Sequence, residues 1–264
     1  MNLAGLLACL VDGAGPTGRA TGLAEVGELA GSGSGGVVEA PGPLHPMVVA
    51  EIARCRSQGG PVIVVTATGR EAEDVAAVLP DLVPGVRTAV FPSWETLPHE
   101  RLSPSLDTVG RRVAVLHRLA HPDPSDPLGE PVDVLLTSVR AFLQPVVRDI
   151  ADVRPVRLSV GDERPLEEVL EAIVALGYER VDLVERRGQM AARGGILDVF
   201  PPTEEHPVRV EFWGDTVEEV RTFSVADQRS LEIAEQGLWA PAVRELLLTT
   251  TVRELGCVHH SNGR

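Results

Sequence analysis

Residues 177–230 read GYERVDLVERRGQMAARGGILDVFPPTEEHPVRVEFWGDTVEEVRTFSVADQRS, and this stretch decides the fold. It divides into short strand-forming runs separated by tight turns. Val181–Glu185 reads as a strand of poor alternation, ending in Arg186-Arg187 and Gly188. Ile196–Phe200 is an apolar run opened by Gly194-Gly195 and closed by Pro201-Pro202. Successive side chains of a strand point to opposite faces, so Val208, Val210 and Phe212 share one face while Arg209 and Glu211 share the other. Gly214-Asp215 supplies a turn into Val217–Phe223. The pattern predicts a compact antiparallel sheet with one buried face and one face of Arg and Glu.

Upstream the pattern is different. Val62–Thr66 is a continuous β-branched run of the kind expected for a strand buried on both sides, and Val132–Thr137 reads as another buried strand. Helices at 47–56, 70–79 and 139–144 and a strand at 86–91 alternate with them. Thr108–Ala120 is predicted helical, with Val109, Val113, Leu116 and Leu119 on one face and Arg111 and Arg112 off it. Strands alternating with helices over 37–146 indicate a parallel α/β domain. Residues 1–11 suggest a short amphipathic helix; 12–36, rich in Gly, Ser and Ala, read as linker, followed by a short strand at Val37–Glu39. From 147 the chain reads as an α+β unit to 225: a strand at 153–160, a helix from Pro165 with Leu166, Val169, Leu170 and Ile173 on its apolar face, and Gly177 as its stop. A strand at 231–234 and a helix at 243–252 follow.

Composition narrows the partners. The 264 residues carry a formal net charge of −14, which opposes nucleic acid as a main partner, because phosphate binding draws on cationic charge and counterion release. Every basic residue is Arg; the chain holds no Lys, the composition of a GC-rich genome. Cys9, Cys55 and Cys257 form no CxxC pair, which fits free thiols in a reducing cytosol. Cys257, His259 and His260 sit close together, yet adjacent histidines cannot both face one metal on a regular element, so no metal site is expected. No run reaches transmembrane length, so no membrane association is expected.

The string ARGGILDVFPP…PVRVEFWGDTVEEVRTFSVADQRS, preceded by FPSWETLPHERLSPSLDTVGRRVAVLHRL at 91–119, resembles the UvrB-like N-terminal module of the bacterial transcription-repair coupling factors. The resemblance covers roughly residues 1–250. It implies a degenerate helicase-type α/β domain with a parallel sheet (37–146), a small inserted antiparallel α+β domain (147–225), and a segment (226–254) returning to the first. The ending LGCVHHSNGR, 255–264, does not resemble the family, which continues; a fragment or a change of reading frame near 254 is the expectation.

UvrB carries a P-loop in its first domain, where a Lys reaches the nucleotide phosphates. The equivalent stretch here is EAPGPLHPMVVAEIA, 39–53, with Pro43 and Pro46 and no GK[ST]. No cofactor is therefore expected; ATP and Mg²⁺ belong to the family's motor region, as do its contacts with DNA, and RNA polymerase is bound by a further domain outside these residues. His99-Glu100-Arg101 reads as a surface turn, Asp198 as a buried hydrogen-bonded carboxylate, and no catalytic group is assigned. What remains is surface chemistry: Arg180, Arg186, Arg187, Arg193 and Arg209 cluster in the small unit. They form either a solvated charged face or a protein interface, for which the planar guanidinium fork suits carboxylate partners. The resemblance implies binding of UvrA, with Arg193 of the shared RGG motif carrying it best. The expected function is non-catalytic recruitment of UvrA to stalled RNA polymerase; the alternative is a UvrB-like, ATP-dependent excision repair subunit with a degraded nucleotide site.

Overall fold

The structure, a computed structural model, describes residues 23–32, 37–55, 60–96, 103–124, 126 and 129–245. In chain order it begins with helices α1 (Leu23–Ser32) and α2 (His45–Cys55), strand β1 (Val62–Thr66), α3 (Gly69–Leu82) and β2 (Thr88–Phe91). Then come α4 (Leu106–Ala120), β3 (Val134–Ser138), α5 (Val139–Leu143), β4 (Val156–Leu158) and α6 (Leu166–Ala175). Seven strands follow: β5 (Glu179–Arg180), β6 (Gln189–Arg193), β7 (Ile196–Val199), β8 (Val208–Trp213), β9 (Thr216–Phe223), β10 (Ser230–Ile233) and β11 (Leu238–Ala240). The fold is mixed α/β, with one parallel sheet and separate antiparallel sheets, in two compact units.

The first unit holds the described residues up to Ser93 with 122–124 and 130–144. Its sheet is parallel, in the order β1-β3-β2. Val134 and Leu136 of the central strand pack with Val49 and Ala50 of α2 and Ala72, Val75, Leu79 and Leu82 of α3. The Thr68 side chain accepts the Glu71 amide, and the Glu71 carboxylate accepts the Ala67 amide, a reciprocal cap that starts α3. Three expectations are corrected here. β1 is an edge strand rather than one buried on both sides: Val62 and Val64 face the core, whereas Ile63 and Val65 are 53% and 43% exposed. β-branched residues favour extended backbone, but they do not dictate what covers it. The stretch read as linker contains α1, which packs so closely on α2 that a Cβ on Gly27 would lie 2.8 Å from Cys55 Sγ. Val37–Glu39 forms no strand.

The second unit holds the described residues of 94–121, 126, 129 and 145–245. A six-stranded sheet runs β10-β9-β8-β7-β6-β5, antiparallel except for the parallel pair β5–β6, and β4 pairs with β11 in a second, two-stranded sheet. Val208, Val210 and Phe212 are buried as their alternation predicts, joining Val169 and Ile173 of α6, Met190, Leu197, Val217 and Val220. Gly177, at φ +93°, ends α6 in the left-handed conformation that glycine adopts without strain. Here too the sequence reading needs correcting. Val181–Glu185 is not a strand, because the Gln189 side-chain oxygen accepts the amides of Glu185 and Arg186, at 3.0 and 3.2 Å, and closes the segment into a turn. The strands are instead β5 and β6. Helix α4, grouped by sequence with the first domain, contributes Val109 and Val113 to the core of the second unit. Arg112 of that helix, expected off the apolar face, is fully buried: its Nε donates to the Glu245 carboxylate, and its guanidinium lies 4.9 Å from the Trp94 ring. The helix predicted at 243–252 lies, from residue 246 on, outside the described residues, as do residues 1–11 and His99-Glu100-Arg101.

Candidate protein interface

The face of the six-stranded sheet turned away from the main core carries two of the predicted arginines, Arg193 and Arg209. Pairing register places Ala191, Asp198, Arg209 and Arg221 in one row across β6–β9 and Arg193, Ile196, Glu211 and Glu219 in the next. Arg209 opposite Arg221 and Glu211 opposite Glu219 are like-charge pairs, which cost stability unless offset. Two ion pairs offset them. Arg221 binds Glu219 at 2.6 Å along the same strand, holding that carboxyl below the usual range. Arg209 grips Asp198 with two parallel bonds, Nε to Oδ1 at 2.7 Å and Nη2 to Oδ2 at 2.8 Å. Asp198 is buried and hydrogen-bonded, as expected from its apolar neighbours. The Arg209 guanidinium also lies 4.6 Å from the Phe223 ring centre. Phe223 belongs to a small second core with Val184, Ala191 and Phe200.

Arg193 ends β6 just before the Gly194–Gly195 turn. Gly194 takes φ +59°, and a Cβ on Gly195 would sit 2.7 Å from the Phe212 carbonyl oxygen, so both glycines are required for so tight a turn beside β8. The exposed Arg193 side chain donates from Nη2 to the Asp182 carbonyl. It borders two hollows. One, of about 180 Å³, is lined by Ala191, Arg193, Ile196, Asp198 and Arg209. The other, of about 650 Å³, is lined by Arg180, Val181, Asp182, Leu183, Ala192 and Arg193. Arg193 thus borders both hollows, Arg209 only the first and Arg180, level with the core residue Met190, only the second. Arg186 and Arg187 line neither hollow: Arg186 pairs with Glu179 at 3.3 Å, and Arg187 donates to the Glu204 carbonyl at 3.0 Å over the Phe200 ring.

Two further residues belong to this face. Trp213 continues the outward alternation of Arg209 and Glu211 and is 77% exposed, beside the turn whose Gly195 carbonyl accepts the Phe212 amide. Tryptophan is among the residue types that carry most interface energy in protein complexes; the outward parity of Trp213 was legible in the sequence. Gln228, at φ +60°, bridges the Val184 and Val225 carbonyls through its amide while its own carbonyl faces Arg209 Nη1 at 3.4 Å. Nothing local in the sequence signals that role. Among the described residues no His, Cys, Asp and Glu group forms a metal cage, and no helix is long and apolar enough to cross a membrane.

Comparison with known proteins places the chain in a family. Residues 156–244 match the family described as "UvrB interaction domain", a span that includes all five arginines. The chain is 55% identical over 215 residues to the transcription-repair-coupling factor of Mycobacterium tuberculosis, covering 81% of this chain and 17% of that protein. It is 28% identical over 202 residues to that of Escherichia coli, covering 75% and 16%. It is also 35% identical over 103 residues to the UvrABC system protein B of Natronomonas pharaonis, covering 38% and 15%. The chain therefore spans under a fifth of the length of these relatives. Over these residues it is a UvrB-like module of the transcription-repair-coupling factor family, with its UvrB interaction domain at 156–244.

Proposed function

We propose that this module is a non-catalytic docking element that binds UvrA through the open face of β6–β8 and thereby recruits it to RNA polymerase stalled at DNA damage, in the cytoplasm. The observation that carries the reading is the pair Arg193 and Arg209 around one hollow of the open face, with a second hollow bordered by Arg193 and Arg180 beside it and an exposed Trp213 on β8, all within the UvrB interaction domain. Aromatic and arginine side chains on a rigid scaffold are the usual carriers of interface energy. Contacts with RNA polymerase and DNA belong, on this reading, to other parts of the family's proteins.

The module needs no nucleotide for this role. It has no lysine to reach a phosphate, and Pro43 and Pro46, at the place of the P-loop, bring no N–H to a phosphate cradle. The alternative of an ATP-dependent UvrB-like subunit finds no supporting residue there. The test is a calorimetric titration of UvrA with the chain, with Arg193→Ala, and with Glu168→Ala on the exposed side of α6. Saturable binding that survives Glu168→Ala and weakens by about 30-fold or more in Arg193→Ala is expected. Equal affinities for the two variants would refute it.

A further inference from the structure

We infer that Asp198 is the positioning residue of this interface: it fixes the Arg209 fork so that Arg209 and Arg193 together receive a single acidic side chain of the partner. The inference rests on the proposed docking face and adds how that face is set.

Three features converge on Arg209. Asp198, itself buried, occupies the Nε–Nη2 edge with two charge-assisted bonds. Phe223 stacks near the guanidinium, and the Gln228 carbonyl meets Nη1. A guanidinium has five N–H donors, and these bonds engage three, leaving two for an incoming carboxylate. Asp198 and Arg221 flank Arg209 on opposite sides in the same row, so without Asp198 the fork would keep its like-charge neighbour and lose the carboxylate it is bonded to. The hollow bordered by Arg193, Arg209 and Asp198 carries a net charge of +1, so one carboxylate neutralises it. Its floor, Ala191 and Ile196, accepts the methylene groups of that side chain rather than a second charge.

The sign of one substitution separates this from simple electrostatics. Asp198→Asn makes the face more positive by one charge. If Asp198 merely placed negative charge near an acidic partner, its removal would tighten UvrA binding. If it positions Arg209, removal loosens binding, by about three- to tenfold for the freedom restored to one long side chain. The experiment titrates UvrA with the full chain carrying Asp198→Asn, Arg209→Ala or both, each checked for native unfolding midpoint. Expected are weakening in each single variant and no further loss in the double variant relative to Arg209→Ala. Unchanged or tighter binding by Asp198→Asn, or additive losses in the double variant, would overturn the inference while leaving the docking face standing. Wild-type affinity in Arg209→Ala would remove the docking role of Arg209 itself and the inference with it. Arg209→Lys covers the case in which Asp198→Asn does not fold: it keeps the charge and loses the fork. Weakening close to that of Arg209→Ala supports positioning, and wild-type affinity overturns it.

Discussion

Replacing Arg112 by Met is expected to destabilise the second unit severely, although Met matches much of the arginine's apolar stem. In the native protein Arg112 is 0% exposed, its Nε bonded to the Glu245 carboxylate, to which Trp94 Nε1 also donates at 2.9 Å. These two residues, 133 positions apart in sequence, tie the stretch after β11 to α4 within the second unit. Arg112→Met leaves the Glu245 carboxylate buried with its charge uncompensated. Breaking one side of a buried pair costs about 3–5 kcal/mol, a large share of the roughly 5–15 kcal/mol that holds a domain folded. Removing both charges avoids that penalty, so Arg112→Met/Glu245→Leu is expected to recover most of the loss. All three tryptophans, Trp94, Trp213 and Trp239, lie in the second unit, so their fluorescence follows its unfolding in urea. Loss of under about 1 kcal/mol in Arg112→Met, or a double variant less stable than either single one, would refute the reasoning.

Other outcomes follow from single residues. Trp213→Ala is expected to weaken UvrA binding by about 2 kcal/mol, roughly 30-fold, and to leave the urea midpoint unchanged, because 77% of the residue is solvent-exposed; calorimetry and unfolding on one sample check both halves. His117 is buried with its Nδ1 at 3.2 Å from the Ala151 carbonyl, and that burial pushes the imidazole below its ordinary value, with His121 and Arg157 adding to the effect. The unfolded chain therefore takes up this proton first, near pH 6.5, so the stability contributed at neutral pH is lost as the pH falls through the folded value. Thermal melts between pH 7.5 and 5 are expected to drop more steeply for the wild type than for His117→Gln; parallel curves would argue against it.

What was legible in the sequence was what periodicity and glycine encode. The alternation of Val208–Trp213 set the two faces of the sheet, and Gly194-Gly195 marked the turn that displays Arg193. The buried carboxylate of Asp198 followed from its apolar neighbours, but its partner did not, because pairing across β7 and β8 is a matter of register. Long-range compensation was invisible for the same reason. Arg112 looks like a solvent-facing helix residue until Glu245 is brought to it. Gln189 looks like an ordinary polar position until its side chain takes the two amides that would have extended a strand at 181–185. Helix α1 was hidden by glycine and serine content, since composition outweighed the spacing of Leu23, Val26 and Ala30.

Amide hydrogen exchange of the chain, alone and saturated with UvrA, locates the contact directly. If UvrA docks on the open face, exchange slows in the 181–187 turn, at Gly194–Gly195 and around Gly214, while α6 (166–175) and the first unit exchange as before. Protection confined to α6 or to the first unit, with those turns unchanged, would contradict the assignment of this face as the docking site.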